Sequence, residues 1–281
     1  MDNAMVEVKP KEIELRHSPE EIIDDFITSL DVSTMSRDTY TRSLKPFLSW
    51  LYDTNRLSLA LQREDILAYK EYLAKSKAAY TVSLYLTAVR KLYQWLESRR
   101  LYPDITRGIK GGKKPRGFRK DMLSQEQLRE ALDAMERLSL EGLRNYAIFN
   151  LMARTALRDV EVCRAQVGDI RQETGQPVLW IQGKGRDSKD DYVILTPKAL
   201  KPIKAYLKAR GAVKKEEPLF CSHSDRNQGQ ALTSRSISRI IKTALRAVGM
   251  DDSRLTAHSL RHTAISLSIQ KGASLQQAQA M

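Results

Sequence analysis

Apolar residues recur at intervals of three and four through the first hundred positions, the spacing that lines one face of an α-helix. The first run opens at Ser18, Pro19, Glu20 and Glu21: a capping serine, a proline in the first turn, and a glutamate three residues after the serine. Ile22, Ile23, Phe26, Ile27 and Leu30 follow on one face. A second run goes from Ser36 through Tyr40, Leu44, Phe47, Leu48 and Leu51. A third covers Glu64 to Lys75, with Ile66, Tyr69 and Leu73 in register. A fourth extends from Ala78 to Arg99 through Val82, Leu86, Val89, Tyr93 and Leu96. Four amphipathic helices of these lengths predict a compact bundle.

The pattern then breaks. Gly108, Gly111, Gly112, Pro115 and Gly117 fall within ten residues, and glycine and proline together forbid a regular helix. The expected organisation is a tail over 1–17, a helical domain over 18–102, a linker over 103–121 and a second domain over 122–281. The second domain opens with another capping pattern at Ser124 to Gln127. Helices are expected from there, from Leu140 to Ala156, and from Arg158 onward. Two short β-like runs come next, Pro177 to Gln182 and Tyr192 to Leu195, parted by a polar, glycine-containing turn as a hairpin requires. Thr196 and Pro197 begin a further helix, and Ser234 to Val248 forms another, ended by Gly249. The last clear helix contains His258 to His262 and runs to about Lys271, where Gly272 ends it, and Ser274 starts one more. The fold class is therefore mainly α with a small β-hairpin or sheet (α+β).

Charge changes this picture from architecture to partner. The chain carries 47 Lys and Arg against 34 acids, a net charge of +13. Residues 1–105 are nearly balanced, with 15 basic and 16 acidic side chains, whereas residues 106–120 hold 7 basic side chains and no acid. An excess that begins at a glycine-rich linker fits a strap along phosphates, and a polyanion such as DNA or RNA is the natural partner. A linker charged only for solubility is the plainer alternative. Cys163 and Cys221 have no CxxC partner, so a disulfide framework is not expected and a reducing, cytoplasmic setting fits. The acid-rich first thirty residues are no signal peptide, and no apolar stretch is long enough to span a bilayer.

Cleaving a DNA phosphodiester without a metal needs cations on the non-bridging oxygens, a proton for the leaving oxygen and a base for the attacking hydroxyl. Three stretches supply such groups in order: Thr155, Ala156, Leu157, Arg158, Asp159, Val160, Glu161, Val162; then Gly183, Lys184, Gly185, Arg186 in the turn after the first strand; then His258, Ser259, Leu260, Arg261, His262. This succession resembles the tyrosine recombinases, the integrase family of phages and conjugative transposons, from about Ser18 to Met281. Any one stretch is weak evidence; three in order behind a helical bundle and a basic strap are specific.

The resemblance implies a SAM-like core-binding domain joined to a catalytic domain, clamping duplex DNA in a C shape. It also implies four protomers synapsing two sites, with neither ATP nor an essential metal as cofactor. Arg158 and Arg261 would grip the scissile phosphate. Lys184 would protonate the leaving oxygen, with Lys189 as its competitor. His258 would act as base or phosphate ligand, with Glu161 and His262 in support. Lys110, Lys113, Lys114, Arg116 and Arg119 of the linker are expected on phosphates. Arg37, Thr39, Arg42 and Thr81, near helix starts, are expected at the DNA surface; Tyr40 and Tyr80 are read equally as core or contact residues.

Two departures from the family stand out. The family carries glycine where Ala156 stands, a mild change unless that position needs positive φ. The family's nucleophilic tyrosine follows a third box, yet no tyrosine follows Tyr206, and Tyr192 and Tyr206 read as strand and helix residues. The chain is therefore expected to be a fragment, monomeric without DNA, that binds DNA without cleaving it. Alternatives to the functional reading are a non-catalytic DNA-binding regulator on the same scaffold and an RNA-binding protein. Arg158 and Glu161 also fit a plain surface ion pair. His258 and His262 have zinc spacing but no third ligand nearby. His17 and His223 read as surface residues, and Cys163 as a small buried apolar group.

Overall fold

The structure, a computed structural model, describes residues 18–56, 58–112, 122–183 and 185–274. The chain divides into two compact units, Met1–Arg116 and Gly117–Met281.

The first unit is a bundle of four helices: α1 (Pro19–Ser29), α2 (Thr34–Asp53), α3 (Arg63–Ala74) and α4 (Ala79–Ser98). The Ser18 capping pattern forms as expected, with the Ser18 hydroxyl accepting from the Glu21 N–H and the Glu21 carboxylate accepting from the Ser18 N–H. Helix α4 packs against α1, α2 and α3. Its apolar stripe, Val82, Leu86, Val89, Tyr93 and Leu96, closes on Phe26, Leu44, Phe47, Leu51, Ile66 and Tyr69. Tyr40 packs edge-on against Phe26, ring centroids 6.2 Å apart, whereas Tyr80 is exposed.

Residues 103–112, the start of the expected linker, belong to this unit. Thr106 and Ile109 are buried, Ile109 within the bundle core. The segment is tied down by Arg63, which donates to the carbonyls of Ile105 and Arg107, and by Arg90, whose Nη2 donates to the Ile109 carbonyl at 2.9 Å.

The second unit is built around α6 (Leu140–Thr155), which is buried along most of its length. It is flanked by α5 (Gln125–Ala134), α8 (Pro197–Arg210), α9 (Ser234–Arg246) and α10 (Ala257–Gln270). A short helix, α7 (Asp159–Arg164), follows α6. A three-stranded antiparallel sheet comes between α7 and α8 in the chain: β1 (Ile170–Glu173), β2 (Gln176–Ile181) and β3 (Asp191–Ile194), in the order β1-β2-β3. The expected hairpin is β2–β3, with Leu179 opposite Val193 and Trp180 opposite Tyr192. Strand β1 is an addition, held by the register of Ile170 against Leu179 rather than by any alternation of its own. Leu179 and Ile181 face the core, while Trp180 carries the Arg171 guanidinium at 5.5 Å.

Ala156 ends α6 with φ 55°, in the left-handed region. The position does require the conformation that glycine adopts most readily. No described helix is long and apolar enough to cross a membrane.

Candidate active site

The turn from α6 into α7 places Arg158 at the N-cap of α7, so its side chain leaves the chain where the helix begins. Glu161, buried one turn later, accepts from the Arg158 backbone N–H at 2.7 Å and from its Nη1 at 2.8 Å. This is more than a surface pair: the carboxylate caps the helix and fixes the arginine, whose own side chain stays 45% exposed.

Arg261 arrives from α10, more than a hundred residues later, and donates to the carbonyl of Ala156, two residues before Arg158. It is partly buried, and burial is the main reason its guanidinium pKa sits below the ordinary arginine value; the positive charge of Arg158 adds to that, and Glu161 opposes it. Two like charges held in one partly desolvated place form a natural seat for an anion.

His258 lies one turn before Arg261 on α10, exposed, with its ring edge-on to His262 at 4.6 Å between centroids. The helix start beneath it is fixed by Ser259, whose hydroxyl accepts from the Thr256 N–H and donates to the Arg254 carbonyl. Thr263, on the inner face of α10, accepts from the Leu123 N–H at 2.9 Å. Among the described residues, no three His, Cys, Asp or Glu side chains converge in a way that would hold a metal ion.

Lys184 lies outside the described residues. Its neighbour Gly183 is held by Arg164 of α7, whose Nη1 donates to the Gly183 carbonyl at 3.3 Å, so the turn is tethered to the helix that Arg158 caps. Lys189 is committed elsewhere: its Nζ bonds Gln166 and the buried Asp169, each at 2.6 Å. That pairing ties the approach to β3 to the turn before β1.

Of the residues expected on DNA, Lys110 is exposed, while Lys113, Lys114, Arg116 and Arg119 lie outside the described residues. Arg37, Thr39 and Arg42 sit on the exposed start of α2 and bond locally, Arg37 to the Leu30 carbonyl at 2.8 Å, Thr39 to Met35 and Arg42 to Asp38. Thr81 is half-buried in the first turn of α4. Helix α9 adds candidates that were not expected. Its Arg235, Arg239 and Lys242 share one stripe and, with Thr233, Ser238 and Thr256, line a cleft of about 560 Å³. Their helical spacing opposite Ile237, Ile241 and Leu245 was a usable signal. His223, expected at the surface, is instead half-buried, 3.1 Å from the Tyr206 hydroxyl; His17 lies outside the described residues. Cys163 is partly buried on α7, 3.8 Å from the Ser234 hydroxyl, and burial raises its thiol pKa.

Residues 121–281 match the profile of the phage integrase family, and residues 23–100 match the phage integrase N-terminal SAM-like domain. The chain belongs to the phage integrase family. Curated relatives carry the name tyrosine recombinase. One from Synechococcus elongatus is 28% identical over 250 residues, 84% of this chain and 77% of the relative. Tyrosine recombinase XerD of Lacticaseibacillus casei is 28% identical over 263 residues, 90% of this chain and 86% of the relative. Among solved structures, the XerH site-specific recombinase bound to a palindromic difH substrate superposes with a TM-score of 0.72 at 20% identity, covering 93% of this chain and 75% of that one. A lambda integrase dimer bound to a COC′ core site gives 0.74 at 13% identity, covering 94% of each chain. At these identities the structural likeness establishes an integrase fold, with its helical unit and its small antiparallel sheet.

Proposed function

We propose that this integrase-family chain binds duplex DNA at specific sites and seats a scissile phosphate between Arg158 and Arg261. The observation that carries this reading is the convergence of those two guanidinium groups on the Ala156–Arg158 turn, with Glu161 buried behind Arg158. In this reading each arginine donates to non-bridging phosphate oxygens and stabilises the charge that builds as a hydroxyl attacks phosphorus. Lys184 gives its proton to the departing 5′-oxygen, and His258 takes a proton or holds the phosphate. Glu161 and His262 position the groups in front of them. The linker basic residues, with Arg235 and Arg239 of α9, grip the flanking backbone.

Strand transfer through a 3′-phosphotyrosyl link needs an attacking tyrosine, and residues 207–281 contain none. In this reading the 281-residue chain binds without forming a covalent adduct, and is monomeric until DNA brings copies together. Solved integrases of the same fold include a tetramer on a Holliday junction, the assembly we propose for the active form.

The test is binding of the purified chain to nicked duplex DNA at one stated salt concentration. Arg158→Ala and Arg261→Ala are each expected to weaken binding about tenfold or more, since a charge-assisted hydrogen bond contributes roughly 1.5–3 kcal/mol. No protein–DNA species should survive denaturing gel electrophoresis. Unchanged binding by both variants removes the phosphate seat. A covalent adduct overturns the binding-only reading, and equal affinity for duplex RNA of the same length overturns the choice of partner.

A further inference from the structure

Gly111 and Gly112, unlike Gly108, have no positive φ. Their reason for being glycine lies in what they touch. A Cβ on Gly112 would stand 2.5 Å from the carbonyl oxygen of Ala79 and 2.8 Å from its Cα, both backbone atoms that cannot swing aside. A Cβ on Gly111 would stand 2.6 Å from the Ser83 hydroxyl oxygen and 3.2 Å from the Ser83 Cβ. The segment lies directly on the surface of α4.

Its path is legible from three anchors. The Ile109 carbonyl accepts from Arg90, Gly111 lies on Ser83, and Gly112 lies on Ala79 while its carbonyl accepts from the Ser83 hydroxyl at 3.5 Å. Positions 90, 83 and 79 share one stripe of α4. The chain therefore runs back along α4 toward its N-terminus and reaches the first helical turn, beside Tyr80 and Thr81. Lys110, exposed, is lodged between two anchored residues, Ile109 bonded to Arg90 and Gly111 lying on Ser83.

We infer that Gly111 and Gly112 are positioning residues: their close approach to α4 fixes where Lys110 meets a phosphate, relative to α4. This inference rests on the duplex-DNA reading above. Neither glycine touches DNA; each acts through the placement of charge.

The experiment measures affinity for duplex DNA against salt concentration for the 281-residue chain and its variants, with thermal melting as a check on folding. Gly111→Ala and Gly112→Ala are each expected to lower affinity about tenfold and to flatten the slope of log affinity against log salt by roughly 0.9, the share of the one phosphate that Lys110 neutralises. A merely structural glycine would change melting and leave that slope alone. Where Gly112→Ala melts below the assay temperature, the decision passes to a double-mutant cycle. Ser83→Ala removes the oxygen that a Cβ at 111 would meet, so Gly111→Ala is expected to cost at least threefold less in the Ser83→Ala background than in the wild-type one. A wild-type slope in folded Gly111→Ala, or an equal cost in both backgrounds, overturns the inference while duplex binding stands. Absence of duplex binding by the wild-type chain overturns the reading beneath it instead.

Discussion

Ala156 shows how much one backbone angle decides. A non-glycine residue in the left-handed region costs roughly 1–2 kcal/mol, yet its methyl is fully buried, and a buried CH₂-sized group contributes about 0.8 kcal/mol. The two nearly cancel. Ala156→Gly is therefore expected to shift unfolding free energy by less than about 1 kcal/mol, and Ala156→Val, branched and overpacked, to lower it by about 2 kcal/mol or more. Denaturant unfolding of the three proteins checks this. The residue pattern alone does not fix this angle; the family's glycine at the position raised it, and the structure, with φ 55°, supplies it. Arg158 and Glu161 were legible as a pair, but not the burial that makes the glutamate a fixed support.

At the scale of elements, the helices were written plainly, because capping residues and apolar spacing act within a few residues of each other. Strand β1 was not. Ile170, Arg171, Gln172 and Glu173 carry no alternation, and they become a strand only because β2 offers them a ladder. His223 was misread for a related reason: its partners come from distant elements. It meets Tyr206 of α8 and Cys221, with Arg144 and Glu141 of α6 and Arg210 of α8 acting on its charge. Burial first, and then Arg144 and Arg210, hold its pKa below the ordinary 6.5. The unfolded chain thus takes up a proton below that value while the folded one resists. Stability should fall as pH drops from 6.5 toward the lower folded value and then level off. The expected outcome is a smaller loss of melting temperature between about pH 7.5 and about pH 5.5 in His223→Gln than in the wild type.

At the scale of the molecule, charge is divided along the chain: residues 106–281 hold 32 basic side chains against 18 acids, while the residues before them are nearly neutral. Replacing Lys110, Lys113, Lys114, Arg116 and Arg119 together by alanine should weaken duplex binding at low salt far more than at high salt. The salt slope should shrink by about 0.9 for each phosphate those side chains neutralise. A parallel downward shift at all salt concentrations would instead place their effect on folding. The segment was recognisable as charged and irregular, but that its first half is seated on α4 was not, because glycines chosen for close approach and glycines chosen for freedom look alike in sequence.

The bond from Arg261 to Ala156 spans 105 positions of the chain, and it has a consequence for how the protein comes into being. Neither arginine can meet the other until α6 has ended in its left-handed turn and α10 has docked against it. A pairing of such long range forms late, after the loop entropy between its ends has been overcome. A chain still folding carries the two basic residues but not the assembled pair. In the reading proposed above, completion of the fold is what assembles the phosphate seat.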